Sequence, residues 1–168
     1  MHAQGVRGYT LIELLTTLTI ASILGLTSIS GFNHLITHIH QYHAVQNTTT
    51  ALSRARLLAV SRGERVSLCS LSIDNQCTSE WNGEYLGGFV DTNSNHARDI
   101  DEEIIFRQSW NPSLTLHWND RFEDTTITFQ PNGTAVSNGT LTFANVGEKA
   151  FANLIINNYG RVRLEKLK

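Results

Sequence analysis

The sequence predicts an α+β fold: a long N-terminal α-helix, apolar in its first half, packed on a C-terminal antiparallel β-sheet head. Three observations predict it. An apolar run from Tyr9 to Phe32, YTLIELLTTLTIASILGLTSISGF, holds no Lys, Arg or Pro. Apolar and small residues then recur every three or four positions as far as Ala59. After Gly63 the period changes to short alternating segments divided by Asn-Gly dipeptides, the signature of strands and turns.

Three segments follow from this reading: a leader over 1–8, an apolar helix half over 9–32, and a head over 33–168 that includes the amphipathic helix half. The leader, MHAQGVRG, is short and positive. At ~1.5 Å per residue the run over 9–32 makes a helix of roughly 36 Å, enough to cross the hydrocarbon core of a bilayer. It is too long for a cleaved signal peptide, and no A-x-A-like site closes it. By the positive-inside rule Arg7 stays in the cytoplasm and the head is exported. The one charge of the run is Glu13. A carboxylate inside a membrane costs ~2.5–3.5 kcal/mol unless it finds a partner, so Glu13 is expected to be paired.

Beyond the apolar run, Leu35, Ile39, Tyr42, Val45, Thr49, Leu52, Ala55 and Ala59 form one helical stripe. Arg62-Gly63 supplies a last-turn cation and a stop, so the helix is predicted from about residue 10 to 62, roughly 80 Å at ~1.5 Å per residue. Strands are predicted at 65–69, 85–90, 103–107, 114–118, 126–130, 140–144, 153–157 and 161–164. Alternation in TITFQ, TLTF and NLII marks antiparallel strands with one face on a core. Turns are expected at Asn82-Gly83, Asn132-Gly133 and Asn138-Gly139.

Composition narrows the function. At 168 residues the chain holds one soluble domain after the helix, and 13 basic against 15 acidic residues leave no global bias toward nucleic acid. The cysteines, Cys69 and Cys77, are expected to form a disulfide in an exported head, closing a short loop for ~2–3 kcal/mol. Their spacing excludes a CxxC redox or zinc motif. There is no Gly-flanked nucleophilic Ser, no phosphate loop and no HExxH, so no enzyme, cofactor or metal site is predicted. His34, His38, His40 and His43 lie within the helix without an acid or Cys at ligand spacing, and read as a polar face. Asp91, Asn93, Asn95, Asp99 and Glu102 occupy positions one, three, five, nine and twelve of a calcium loop. His96 stands where that loop needs a Gly, so the segment is read as an Asx-rich surface loop.

The tail reverses the chain's acidic balance. Arg161, Arg163, Lys166 and Lys168 face a single acid, Glu165. On a strand Arg161 and Arg163 share one side, spaced ~6.6–6.8 Å apart, roughly the repeat of phosphates along one nucleic-acid strand. Asn158 and the backbone amide of Gly160 add donors.

Gly8-Tyr9-Thr10-Leu11-Ile12-Glu13 resembles the class III signal of type IV pilins and type II secretion pseudopilins. The resemblance implies cleavage by a prepilin peptidase between Gly8 and Tyr9, methylation of the new N-terminus, and an inner-membrane anchor before assembly with other pilins. Glu13 would then meet a neighbour's N-terminal cation. The head narrows the family. Ala51 to Arg56 with Val66-Ser67-Leu68-Cys69, Trp81 with Gly87 to Asn93, Phe129 to Ala135, and Asn158 to Arg163 resemble the blocks of the FimT/GspH minor pilins. The closing Gly160-Arg161-Val162-Arg163 is similar to the G-R-x-R motif of FimT, which implies sequence-independent capture of double-stranded DNA in natural transformation. The other reading is a GspH-type pseudopilin with a structural role and no DNA.

Overall fold

The computed structural model describes residues 8–81, 83–111, 113–120, 125–136 and 138–167, leaving out the side chains of 26–31, 33 and 34. The leader 1–7 and Lys168 therefore lie outside the described residues. Helix α1 spans Leu11–Arg62. Eight strands follow: β1 Val66–Leu71, β2 Tyr85–Val90, β3 Ile104–Ser109, β4 Leu114–Asp120, β5 Ile127–Phe129, β6 Gly139–Asn145, β7 Ala150–Ile156 and β8 Val162–Lys166. The chain falls into two compact units, one up to His40 and one from Gln41 onward.

In the first unit Thr10 caps α1, receiving the N–H of Glu13 on its carbonyl at 3.1 Å. The hydroxyls of Thr16, Thr17, Thr19 and Ser22 donate to carbonyls three or four residues back. These hydroxyls are thereby satisfied within their own helix. Tyr9, Leu11, Ile12, Ile20, Ile23 and Leu24 are exposed. Among the described residues no helix is long and apolar enough to cross a membrane.

In the second unit α1 buries Ala44, Val45, Thr48, Ala51, Leu52, Ala55 and Ala59. Four alanines on this face let the sheets approach closely at little side-chain entropy cost. The predicted stripe is corrected at four places, two of them being Leu35 and Ile39, which are exposed. Thr48 rather than Thr49 is buried, and Tyr42 is exposed, its ring edge-on to His43 at 6.0 Å.

The strands form two antiparallel four-stranded sheets, in order β3-β2-β1-β5 and β4-β6-β7-β8, where the sequence predicted one. Alternation fixes which side chains share a face but not which strands pair. Sheet β4-β6-β7-β8 follows the alternation: Leu116 and Trp118 of β4, Leu141 and Phe143 of β6, and Leu154 and Ile156 of β7 enter the core shared with α1. β1 is buried on both faces. Val66 and Leu68 meet the helix core, while Cys69 and Leu71 join Phe89, Tyr85 and Ile104 in a second cluster. The disulfide Cys69–Cys77 closes this cluster, with Cα atoms 5.7 Å apart. Gly88 in β2 is required there, because a Cβ would sit 2.4 Å from the Phe106 ring.

Turns occur at Gly133, Gly147 and Gly160, all at positive φ. Asn132-Gly133 is thus a turn as expected. Asn138-Gly139 is not: Gly139 opens β6 and faces Asp120 and Ile156.

Candidate interaction surface at the C-terminal turn

The β7–β8 turn is built by Asn157. Its side-chain Oδ1 accepts the N–H groups of Tyr159 (3.1 Å) and Arg161 (3.0 Å), and its backbone carbonyl accepts that of Gly160 (2.8 Å). Asn158 holds the neighbouring hairpin, its carbonyl accepting the N–H of Ala135 at 3.0 Å. Gly160 has φ +69°, and a Cβ there would lie 2.4 Å from the Gly133 carbonyl. Only glycine serves at such a position.

Arg56 of α1 fastens the turn. Its Nε donates to the Gly133 carbonyl at 2.8 Å and its Nη2 to the Tyr159 carbonyl at 3.0 Å. One guanidinium thereby ties the helix to both glycine turns, at the floor of a cleft of about 610 Å³ that Leu57, Val60 and Arg161 also line. In sequence Arg56 belongs to a second basic run with Arg54, Arg62 and Arg65 that reads as balancing the acids, which hides its role as a tie. The available signal was its place on the helix face shared with Leu52 and Ala59.

From this mount Arg161 and Arg163 project, both exposed. β8 pairs with β7 as Ile156↔Val162, Ile155↔Arg163, Leu154↔Leu164, Asn153↔Glu165 and Ala152↔Lys166. Arg163 and Glu165 therefore share the outer face, and Lys166 belongs to the face of Val162 and Leu164. The predicted cations are thus not all brought together: Arg161 and Arg163 are neighbours, Lys166 faces the other way, and Lys168 is not described.

The remaining arginines separate into employed and unemployed. Arg54 lies over the Phe106 ring at 4.9 Å. Arg62 pairs with Glu103 at 2.8 Å, and that carboxylate raises its pKa by hydrogen bond and charge. Arg98 donates to the carbonyls of Asn75 and Glu102. Arg107 donates to Asn75 Oδ1 and lies over the Tyr85 ring at 3.4 Å. Among the described residues the guanidiniums of Arg161, Arg163 and Arg65 have no hydrogen-bond or carboxylate partner.

No group of three or more His, Cys, Asp and Glu side chains among the described residues is placed to hold a metal. His34 lies outside the described side chains, so the pair it forms with His38 in sequence is not seen.

Residues 44–160 match the profile of the family described as type II transport protein GspH, and residues 4–29 match the prokaryotic N-terminal methylation motif. The type IV minor pilin FimU of Pseudomonas aeruginosa is similar in fold, with TM-score 0.56 and 23% identity over 74% of this chain and 91% of FimU. The minor pseudopilin EpsH of the Vibrio cholerae type II secretion system is similar at TM-score 0.51 and 12% identity, over 75% of this chain and 94% of EpsH. No curated protein sequence matches the chain. The family and these structural neighbours are structural pilins and not enzymes. A methylation-type N-terminus that implies a membrane-anchored precursor, an α-helix feeding a two-sheet head, and a family match across most of that head lead to one assignment: the chain belongs to the GspH family, as a minor pilin or pseudopilin of the type IV pilus or type II secretion type.

Proposed function

We propose that this subunit joins a type IV pilus and binds double-stranded DNA, without sequence preference, through the C-terminal turn, in support of DNA uptake. The observation that carries this reading is the division of the arginines. Arg54, Arg56, Arg62, Arg98 and Arg107 are spent on the fold; of the three unpartnered guanidiniums, Arg65, Arg161 and Arg163, the last two stand adjacent on a turn held by Arg56. A guanidinium fork suits phosphate because it is planar and always charged. Gly160 and Asn158 shape the turn, and Lys166 and Lys168 add long-range attraction.

Before assembly the precursor is cut between Gly8 and Tyr9 by a prepilin peptidase, with residues 9–32 anchoring it in the inner membrane. Glu13 then pairs with the freed N-terminus of a neighbouring pilin in the filament, and the head faces the periplasm or the exterior. A mature chain that begins elsewhere than Tyr9, read by N-terminal sequencing, overturns this step.

Two phosphate contacts give a salt slope of about −1.8, so affinity falls about tenfold between 50 and 200 mM salt. Gel shifts with the purified full chain in detergent test this. Arg161→Ala/Arg163→Ala is expected to abolish binding, and unchanged binding by that variant ends the reading. Loss of protein secretion rather than DNA uptake on deletion would instead favour the pseudopilin role.

A further inference from the structure

We propose that the free edge of β8 is a docking surface for the same strand of a second copy of this chain, so that two heads join through one sheet. The proposal is independent of the DNA reading, since Leu164 and Glu165, on which it turns, take no part in holding phosphate.

β8 ends its sheet, in the order β4-β6-β7-β8, and among the described residues no strand lies beyond it. The direction of its backbone groups follows from its two flanks. The Asn157 N–H donates to the Arg161 carbonyl at 3.1 Å, and the Leu167 N–H donates to the Phe151 carbonyl at 3.0 Å. The register between these bonds is unbroken. Bonded pairs alternate along an antiparallel ladder. Arg161, Arg163, Glu165 and Leu167 therefore bond inward to β7, while Val162, Leu164 and Lys166 direct their N–H and carbonyl groups away from the sheet. An open edge of this kind is a template for another strand. Leu164 and Leu167 leave apolar surface there, at 41% and 38% exposure. The edge of β5, by contrast, is taken: the Val136 N–H donates to the Thr128 carbonyl at 2.9 Å.

The order of charges selects the partner. Strands that protect an edge carry like charges along it, but the outer face of β8 carries Arg163 and then Glu165. A second copy turned about a two-fold axis at Leu164 sets Leu164 against Leu164, Val162 against Lys166, and Arg163 against Glu165 twice over. The outward backbone groups require this register, because it makes Val162, Leu164 and Lys166 the bonded positions on both strands. Two cross-strand pairs of opposite charge then form on the outer face, and the Leu164 side chains meet at the axis and leave water. The same patch serves both copies, the condition for a closed two-fold pair. A parallel pairing in register would set Arg163 against its own copy and Glu165 against its own, which like charges disfavour. With five residues, β8 offers less area than the ~1,200–2,000 Å² of a standard interface, so the pairing is weak and reversible.

The test is self-cross-linking of the full chain in detergent under diamide. Cys69 and Cys77 are held in their disulfide, so an added cysteine is the sole free thiol. Leu164→Cys should form a disulfide with its own copy, because Cα atoms of a bonded antiparallel pair lie ~5.5 Å apart, inside disulfide range. Lys166→Cys, on the same face, should not, because the two copies of that position lie roughly 14 Å apart at ~3.4 Å per residue. Adding Glu165→Arg to Leu164→Cys should slow cross-linking about tenfold or more, since like charges then stand opposite. Adding Arg163→Glu as well restores the opposite pairs and should return the rate to within about twofold. A Leu164→Cys chain that cross-links no faster than Lys166→Cys overturns the proposal. So does a double charge exchange that stays as slow as Glu165→Arg alone.

Discussion

The head contains two Asn-rich turns made with the same local chemistry and put to opposite use. In 91–102 the Asn side chains accept backbone N–H groups two residues on, residues adopt positive φ, and the acids Asp91 and Glu102 are drawn inside. At 157–161 Asn157 accepts the N–H groups two and four residues on, Gly160 adopts positive φ, and the cations Arg161 and Arg163 are left outside. What separates them is the neighbouring backbone. The first turn lies across buried hydroxyls of β1 and the β5 region, Ser67, Thr126 and Thr128, which tolerate a carboxylate. The second is pressed against Gly133 and the Arg56 guanidinium, whose donors are used on carbonyls, so a further cation can only point to solvent. One turn stores charge and the other displays it.

The sharpest way to break that contrast is to remove stored charge. Glu102→Ala deletes the acceptor of the Thr92 and Asp99 N–H groups inside a loop that cannot replace it. The expected loss is about 3 kcal/mol, a fall in the unfolding midpoint of about 10 °C, measured by calorimetry. A loss as small as that of a surface substitution would mean the loop is not organised around Glu102.

A smaller loss is expected at the display turn. Gly160→Ala places a Cβ 2.4 Å from the Gly133 carbonyl at φ +69°, at a cost of about 2 kcal/mol. Gly147→Ala is the control. It has nearly the same φ, +76°, but open space around it, so only the conformational cost of about 1 kcal/mol remains. Equal midpoints for the two variants would show that the close approach to Gly133 does not matter. Arg56→Ala should cost about 1–2 kcal/mol through its two hydrogen bonds. It should also be non-additive with Gly160→Ala, since both act on the same junction.

These residues also mark what the sequence disclosed. Helix α1 was legible to within a residue at each end, because the apolar run begins at Tyr9 and Arg62-Gly63 ends the pattern. All eight strands were legible from period and turn chemistry, with their ends displaced by up to three residues. The partition into two sheets was not. It depends on β5 pairing with β1 across some sixty residues, and three residues of local pattern carry no partner information. Of the display turn, Arg161 and Arg163 were legible as a charge excess, and their mount was not. The positive φ of His96 was hidden for a related reason: its N–H donates to Asp91 and its carbonyl accepts from the distant Thr126, where sequence reasoning expects glycine.

The least effect on stability belongs to the residues with the largest proposed role. Arg161 and Arg163 are exposed, and among the described residues their side chains bond to nothing. Only the backbone N–H and carbonyl of Arg161 are used, both by Asn157, and substitution leaves these in place. Arg161→Ala/Arg163→Ala should therefore unfold within about 0.5 kcal/mol of the wild type, the ordinary range for surface changes. Removing Arg163 from beside Glu165 changes only an exposed charge on the outer face of β8, where screening is strong. A midpoint unchanged while DNA binding disappears would place both guanidiniums outside the fold's own energetics. A clear loss of stability would mean that these side chains also hold the turn, and the distinction between stored and displayed charge would have to be redrawn at Arg56.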